Sequence, residues 1–312
     1  MIKHKIIING SVSSPTVTNI EQPACKERDG KFVYDKFEIT QKEKKFEAVN
    51  AILQENIIKN TSDSEITINR FSSVYIENIA VGFHKKNVLL HFCNNCWEGE
   101  AQWHSVTPYE FGLYPVAKHP WSVTGKSIGT VGSWSTCKYY PILLIEDKTD
   151  NKTWYFEHEG GFSWEIELGT KGEPNRLGIT VEVNGFNEDL SGFTYKLKLN
   201  ESYKTSGVVY GEVNGGAEDA VRELLKYKRV SGGKRLEKLP VCFNDYMNCL
   251  WARPDDKKLI PLIDKAAEVG AEIFCMDDGW FKRKKYGADS GDWIEDDDKF
   301  GENKISCIIE YI

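Results

Sequence analysis

The chain has 312 residues and a formal net charge of −7, room for one large domain or two and too acidic for a nucleic-acid partner, which rewards clustered Lys and Arg. No apolar run approaches the roughly 18 residues that span a bilayer, and Ile6-Ile7-Ile8 is far shorter than the roughly 7–15 residues of a secretory signal core. The expectation is a cytoplasmic protein with no membrane partner, whose eight cysteines are reduced thiols.

Taken in order, residues 1–214 are dominated by short apolar or period-two runs, each read as a strand. Ser73-Val-Tyr-Ile76, Pro141-Ile-Leu-Leu-Ile145, Thr153-Trp-Tyr-Phe156 and Ile179-Thr-Val-Glu-Val183 are examples. Turn signals such as Gly160-Gly161 and Asn184-Gly185 separate them. Many strands without intervening helices predict an antiparallel sandwich of two large sheets. The pattern changes at Gly215-Gly216. Ala217, Ala220, Val221, Leu224 and Leu225 recur at helical spacing, so residues 215–238 read as a linker helix region.

Residues 239–312 have a third character. Val241-Cys-Phe-Asn-Asp-Tyr246 reads as a strand, 255–269 as a helix with Pro261 early in it, and the run from Glu272 to Asp277 as a second strand. A long polar connection comes next, then the start of another helix at Ile305. Strand, helix, strand forces the two strands parallel. In parallel α/β architectures function collects at the C-terminal strand ends. Those ends carry Asn244, Asp245 and Tyr246 on one strand, and Asp277, Asp278 and Trp280 on the other. Carboxylates beside aromatic rings suit a sugar, whose hydroxyls need acceptors and whose C–H face stacks on a ring. Against this stands the plainer reading of an Asp pair as turn residues. A second cluster, Cys93-x-x-Cys96 with His91 and His104, invites zinc. A structural site wants a second well-spaced pair, and the expectation is no metal and no organic cofactor.

Cys-Phe-Asn-Asp-Tyr246 and Phe274-Cys-Met-Asp-Asp-Gly-Trp-Phe281, with Gly291-Asp-Trp293 beyond, resemble the start of the catalytic barrel of family 36 glycoside hydrolases, the α-galactosidases and their relatives. The β-rich region before them is similar to that family's N-terminal super-sandwich, notably around Tyr140-Pro-Ile-Leu143. The fold class this implies is multidomain, β plus α/β. An antiparallel β super-sandwich (1–214) and the linker region (215–238) precede the first part of a truncated (β/α)8 TIM barrel (239–312).

The resemblance implies retaining hydrolysis of terminal α-linked galactosides, with an α-galactoside oligosaccharide as partner. It carries sugar-hydroxyl binding onto Asp277 and Asp278, and subsite roles onto Tyr246, Asn244, Trp280 and Trp293. Tyr246 departs from the family, which usually has Trp there. The nucleophile, expected in a Lys-x-Asp motif on a later strand, and the acid/base have no counterpart in these residues. About 70 residues lie beyond Pro240, whereas a complete barrel takes roughly 250. The chain alone is therefore expected to be inactive, with a second chain completing the barrel or a homo-oligomer as the candidate assemblies. The rival readings are a non-catalytic carbohydrate-binding sandwich and a split or degenerate gene product.

Overall fold

In a computed structural model, residues 6–9, 26–28, 31–34, 36–115, 125–172, 176–232, 239–283, 293–300 and 304–312 are described. They form two compact units, Met1–Gly232 and Gly233–Ile312. Among the described residues no helix is long and apolar enough to cross a membrane.

The first unit is built on two antiparallel sheets. One runs in the order Ile6–Asn9, Ile66–Ile79, Gly178–Asn187, Trp164–Lys171, Lys126–Thr130, with Tyr195–Leu197 also paired to Ile66–Ile79. Among the described residues the other has ten strands, with Ala51–Asn60, Val208–Asn214, Lys152–His158, Tyr139–Asp147 and Val88–Asn94 at its centre and Gln102–Val106 at one edge. Alternation along each strand decides what faces what. Ile179, Val181 and Val183 from the first sheet and Leu143, Ile145 and Phe156 from the second share one core. Each such side chain contributes about 1.5–3 kcal/mol by leaving water. Trp164 is fully buried in it, and its Nε1 donates to the Ser135 carbonyl at 2.6 Å.

The ten-stranded sheet is buried on its second face too. Leu144, Tyr155 and Val209, the neighbours of core residues on their strands, pack against Ala220, Leu224 and Tyr227 of the helix Ala217–Ser231. The helix read from sequence as a linker thus belongs to the first unit and covers this sheet. Its cover explains why Pro141-Ile-Leu-Leu-Ile145 is apolar throughout rather than alternating.

Arg70 is a buried cation in the six-stranded sheet, 5% exposed. Its Nε donates to Glu182 at 2.7 Å, and Glu167 and Glu165 also face it. Burial opposes its charge, but Glu182 and Glu167 outweigh that and hold the guanidinium more firmly protonated than usual.

The second unit contains the parallel pair Cys242–Asn244 and Ile273–Cys275, joined through the helix Asp256–Glu268. Asp255 caps that helix, its carboxylate accepting the Lys258 N–H at 2.9 Å. Pro261 lies inside the helix without dividing it. Both strands are shorter than expected, because Val241, Tyr246 and Asp277 lie outside the paired residues. Phe243 and Phe274 stack with centroids 5.5 Å apart. Phe274 packs on a core of Leu259, Ile263, Phe300 and Ile308, the last from the helix Lys304–Tyr311.

Candidate functional site

The register of the parallel pair sets Asn244 opposite Cys275, so the chain leaves both strands side by side. Hydrogen bonds then tie the two ends together. The Asp245 N–H donates to the Cys275 carbonyl at 3.2 Å. The Asp245 side chain turns inward, 1% exposed, and its Oδ1 accepts the Asp277 N–H at 2.9 Å. Asn244 Nδ2 donates to Asp277 Oδ2 at 2.7 Å.

Asn244 also shapes the chain beyond it. Its Oδ1 accepts the Tyr246 N–H at 2.8 Å, starting a single π-helical turn over Tyr246–Leu250. Such turns are rare and gather at functional sites. The turn ends in Trp251 and Ala252, both in the left-handed region, and Trp251 leans on the Tyr246 ring, centroids 5.8 Å apart. Gly279, at φ +93°, packs against this corner so closely that a Cβ would lie 2.2 Å from the Ala252 carbonyl oxygen. Glycine is required there for both reasons.

The two aspartates of the Asp277-Asp278 pair are used differently. Asp277 is exposed and bonded through one oxygen to Asn244. Asp278 is bonded to Arg283. Asp245 makes a third carboxylate in the cluster, and burial, with Asp277's charge in support, pushes its pKa above the ordinary carboxylate range. Trp280 and Trp293 stack with centroids 6.0 Å apart, and Phe281 meets Trp293 edge-on at 4.9 Å. Gly291 and Asp292 lie outside the described residues.

The structure therefore joins Asn244 to Asp277 and Trp280 to Trp293. Sequence reasoning counts Asp245 only as one more strand-end polar residue and misses Arg283 altogether. Carboxylates and an amide lie together at the strand ends, and groups of these types can exchange hydrogen bonds with hydroxyls. Elsewhere, His91 bonds Ser105 and Glu146, Cys93 is buried and Cys96 is exposed. Among the described residues no group of three or more His, Cys, Asp or Glu is placed to hold a metal ion.

Residues 202–312 match the Melibiase family. Alpha-galactosidase 1 of Pediococcus pentosaceus is 24% identical over 197 residues, 60% of this chain and 26% of that protein. Alpha-galactosidase AgaA of Geobacillus stearothermophilus is 28% identical over 143 residues, 45% of this chain and 18% of that one. The chain thus spans about a quarter or less of the length of these relatives. Among solved structures, the galactosidase domain of the α-galactosidase–sucrose kinase AgaSK superposes with a TM-score of 0.68 at 17% identity, covering 100% of this chain and 41% of that one. The Geobacillus AgaA structure gives 0.66 at 17% identity, covering 85% and 35%. By sequence over residues 202–312, and by fold, the chain resembles the α-galactosidases grouped as glycoside hydrolase family 36.

Proposed function

We propose that this chain supplies the substrate-binding strands of a retaining α-galactosidase-type hydrolase acting on terminal α-linked galactosides. The observation that carries this reading is the junction of two parallel strand ends, with Asn244 and Asp277 joined over the buried Asp245. Asp277 and Asp278 accept hydrogen bonds from sugar hydroxyls. Tyr246, Trp280 and Trp293 supply ring faces, and Asn244 orients Asp277. Variants of the Geobacillus enzyme are described in complex with raffinose and stachyose, the class of oligosaccharide expected here.

In this reading residues 1–232 are the sandwich with its covering helix, and the parallel pair begins a (β/α)8 barrel. The aspartates are not the bond-breaking pair. Retaining chemistry needs a nucleophile and an acid/base about 5–5.5 Å apart on either side of one bond, whereas Asp277 and Asp278 are adjacent residues whose side chains go to different partners, Asn244 and Arg283. The two reacting carboxylates belong to further barrel strands, supplied by more of the same polypeptide or by a second chain.

The test is hydrolysis of a nitrophenyl α-galactoside by the protein isolated from its source together with whatever co-purifies. Replacing Asp277 or Asp278 by Ala should lower kcat/KM at least tenfold, since each hydrogen bond to a charged group is worth about 1.5–3 kcal/mol. Activity untouched by both changes removes the assignment.

A further inference from the structure

A second aromatic feature lies in the first unit, at two turns of the sandwich. Trp97 stands in the turn between Val88–Asn94 and Gln102–Val106, 71% exposed, and Trp134 in the loop before Tyr139–Asp147, 52% exposed. Their ring centroids are 6.5 Å apart and their planes meet at 80°. The two indoles form an open right-angled corner.

That corner is held by a built framework. Asn95, itself buried, donates from Nδ2 to the Thr136 carbonyl at 2.5 Å and from its backbone N–H to the Lys138 carbonyl at 2.8 Å. Its Oδ1 accepts the Ala101 N–H at 3.2 Å. One side chain thus fixes both turns. The Trp134 loop is tied again where Gly132 N–H donates to Ser163 and Trp164 to Ser135. Two non-glycine residues beside Trp97, Glu98 and Ala101, hold left-handed backbone, a conformation few side chains adopt.

We infer that the Trp97–Trp134 corner is a saccharide-binding platform, argued from the first unit alone and independent of the Asp277 assignment. Size favours a sugar over a protein. At these exposures two indoles offer about 300 Å² at most, enough for one or two pyranose rings. A stable protein interface takes roughly 800 Å² per partner. Chemistry points the same way. One ring can stack on the C–H face of a pyranose while the other closes its edge, and the same two turns carry exposed acceptors in Glu98, Glu100 and Ser133.

The experiment is a calorimetric and NMR titration of the intact chain with raffinose, using wild type, Trp97→Ala, Trp134→Ala and Asp277→Ala. Circular dichroism confirms that each variant is folded, and Trp97→Phe is carried alongside as a variant that keeps a ring. The expected result is saturable binding, weakened tenfold or more by Trp97→Ala and Trp134→Ala, less by Trp97→Phe, and unmoved at this site by Asp277→Ala. No saturable binding, or binding indifferent to both Trp changes, overturns the inference. Binding lost only with Asp277→Ala overturns it while supporting the site proposed above. A change in oligomeric state with Trp97→Ala and no change in sugar affinity overturns it as well, marking this edge, with Trp103 nearby, as an interface between copies.

Discussion

His158 is 1% exposed inside the sandwich, its ring stacked on Trp164 with centroids 6.4 Å apart. Its Nδ1 accepts the Gly160 N–H at 3.1 Å. Burial lowers its pKa from 6.5 to about 4. The folded ring is therefore neutral where the unfolded one would already be charged. Between those two values the unfolded state binds more protons, so stability rises with pH and is lost as pH falls. With these values the loss relative to pH 7.5 is about 2 kcal/mol at pH 5 and about 3 kcal/mol at pH 4. His158→Asn keeps an acceptor for Gly160 but cannot titrate. It should cost about 1–3 kcal/mol at pH 7.5 through lost packing, and the gap to wild type should narrow by about 2 kcal/mol at pH 5. Urea unfolding followed by near-ultraviolet circular dichroism at the two pH values reads this directly. Comparing variant with wild type cancels the other titrating groups, including Glu157 and Glu165, whose burial raises their pKa values. Parallel pH profiles for the two proteins would mean that His158 does not carry this pH dependence.

Three further outcomes are expected. Gly279→Ala should loosen the Asp277-Asp278 loop, since the new Cβ meets Ala252 and φ is +93°; faster hydrogen exchange in 273–283 is the readout, and unchanged protection argues against the close packing. Asp245→Asn retains an acceptor for the Asp277 N–H, whereas Asp245→Ala leaves it buried and unpaired at a cost of about 1–3 kcal/mol. Because the Asp245 pKa is raised, its contribution is fully present below the unfolded value and declines as pH rises, so Asp245→Asn should gain on wild type from pH 4 to pH 7 in a thermal melt. Arg70→Met removes the cation bonded to Glu182 and Glu167; an uncompensated buried charge costs about 3–5 kcal/mol, to be read as a lowered urea midpoint.

Much of the sandwich is legible in the sequence because half-buried strands impose period two. Ile179, Val181 and Val183 alternate with Thr180 and Glu182, and the structure sends the first three into the shared core. The helix 217–231 is equally plain from its spacing, yet its destination is not. Helical periodicity shows which face is apolar, never which surface it meets, so a cover for Leu144 and Tyr155 reads as a linker. At the candidate site, the strand-end position of Asn244, Asp277 and Asp278 comes from pattern and motif. Their connection does not, because it depends on the register that sets Asn244 beside Cys275. Asp245 is undervalued by pattern for a physical reason: an aspartate reads as solvated, and only tertiary structure shows one turned inward onto a backbone N–H. The π turn after it starts from an Asn244 side-chain contact, and no periodicity signals such a turn.

The Asn244–Asp277 junction is proposed to meet a sugar. Its most direct test is an NMR titration of the intact chain with galactose, tracking the Asn244 side-chain NH₂ and the Asp277 backbone N–H, one a donor to the carboxylate and the other held by Asp245. Saturable shifts at both groups that vanish in Asp277→Ala are expected. Galactose that leaves both resonances in place, or moves only the Trp97 and Trp134 indoles, would contradict it.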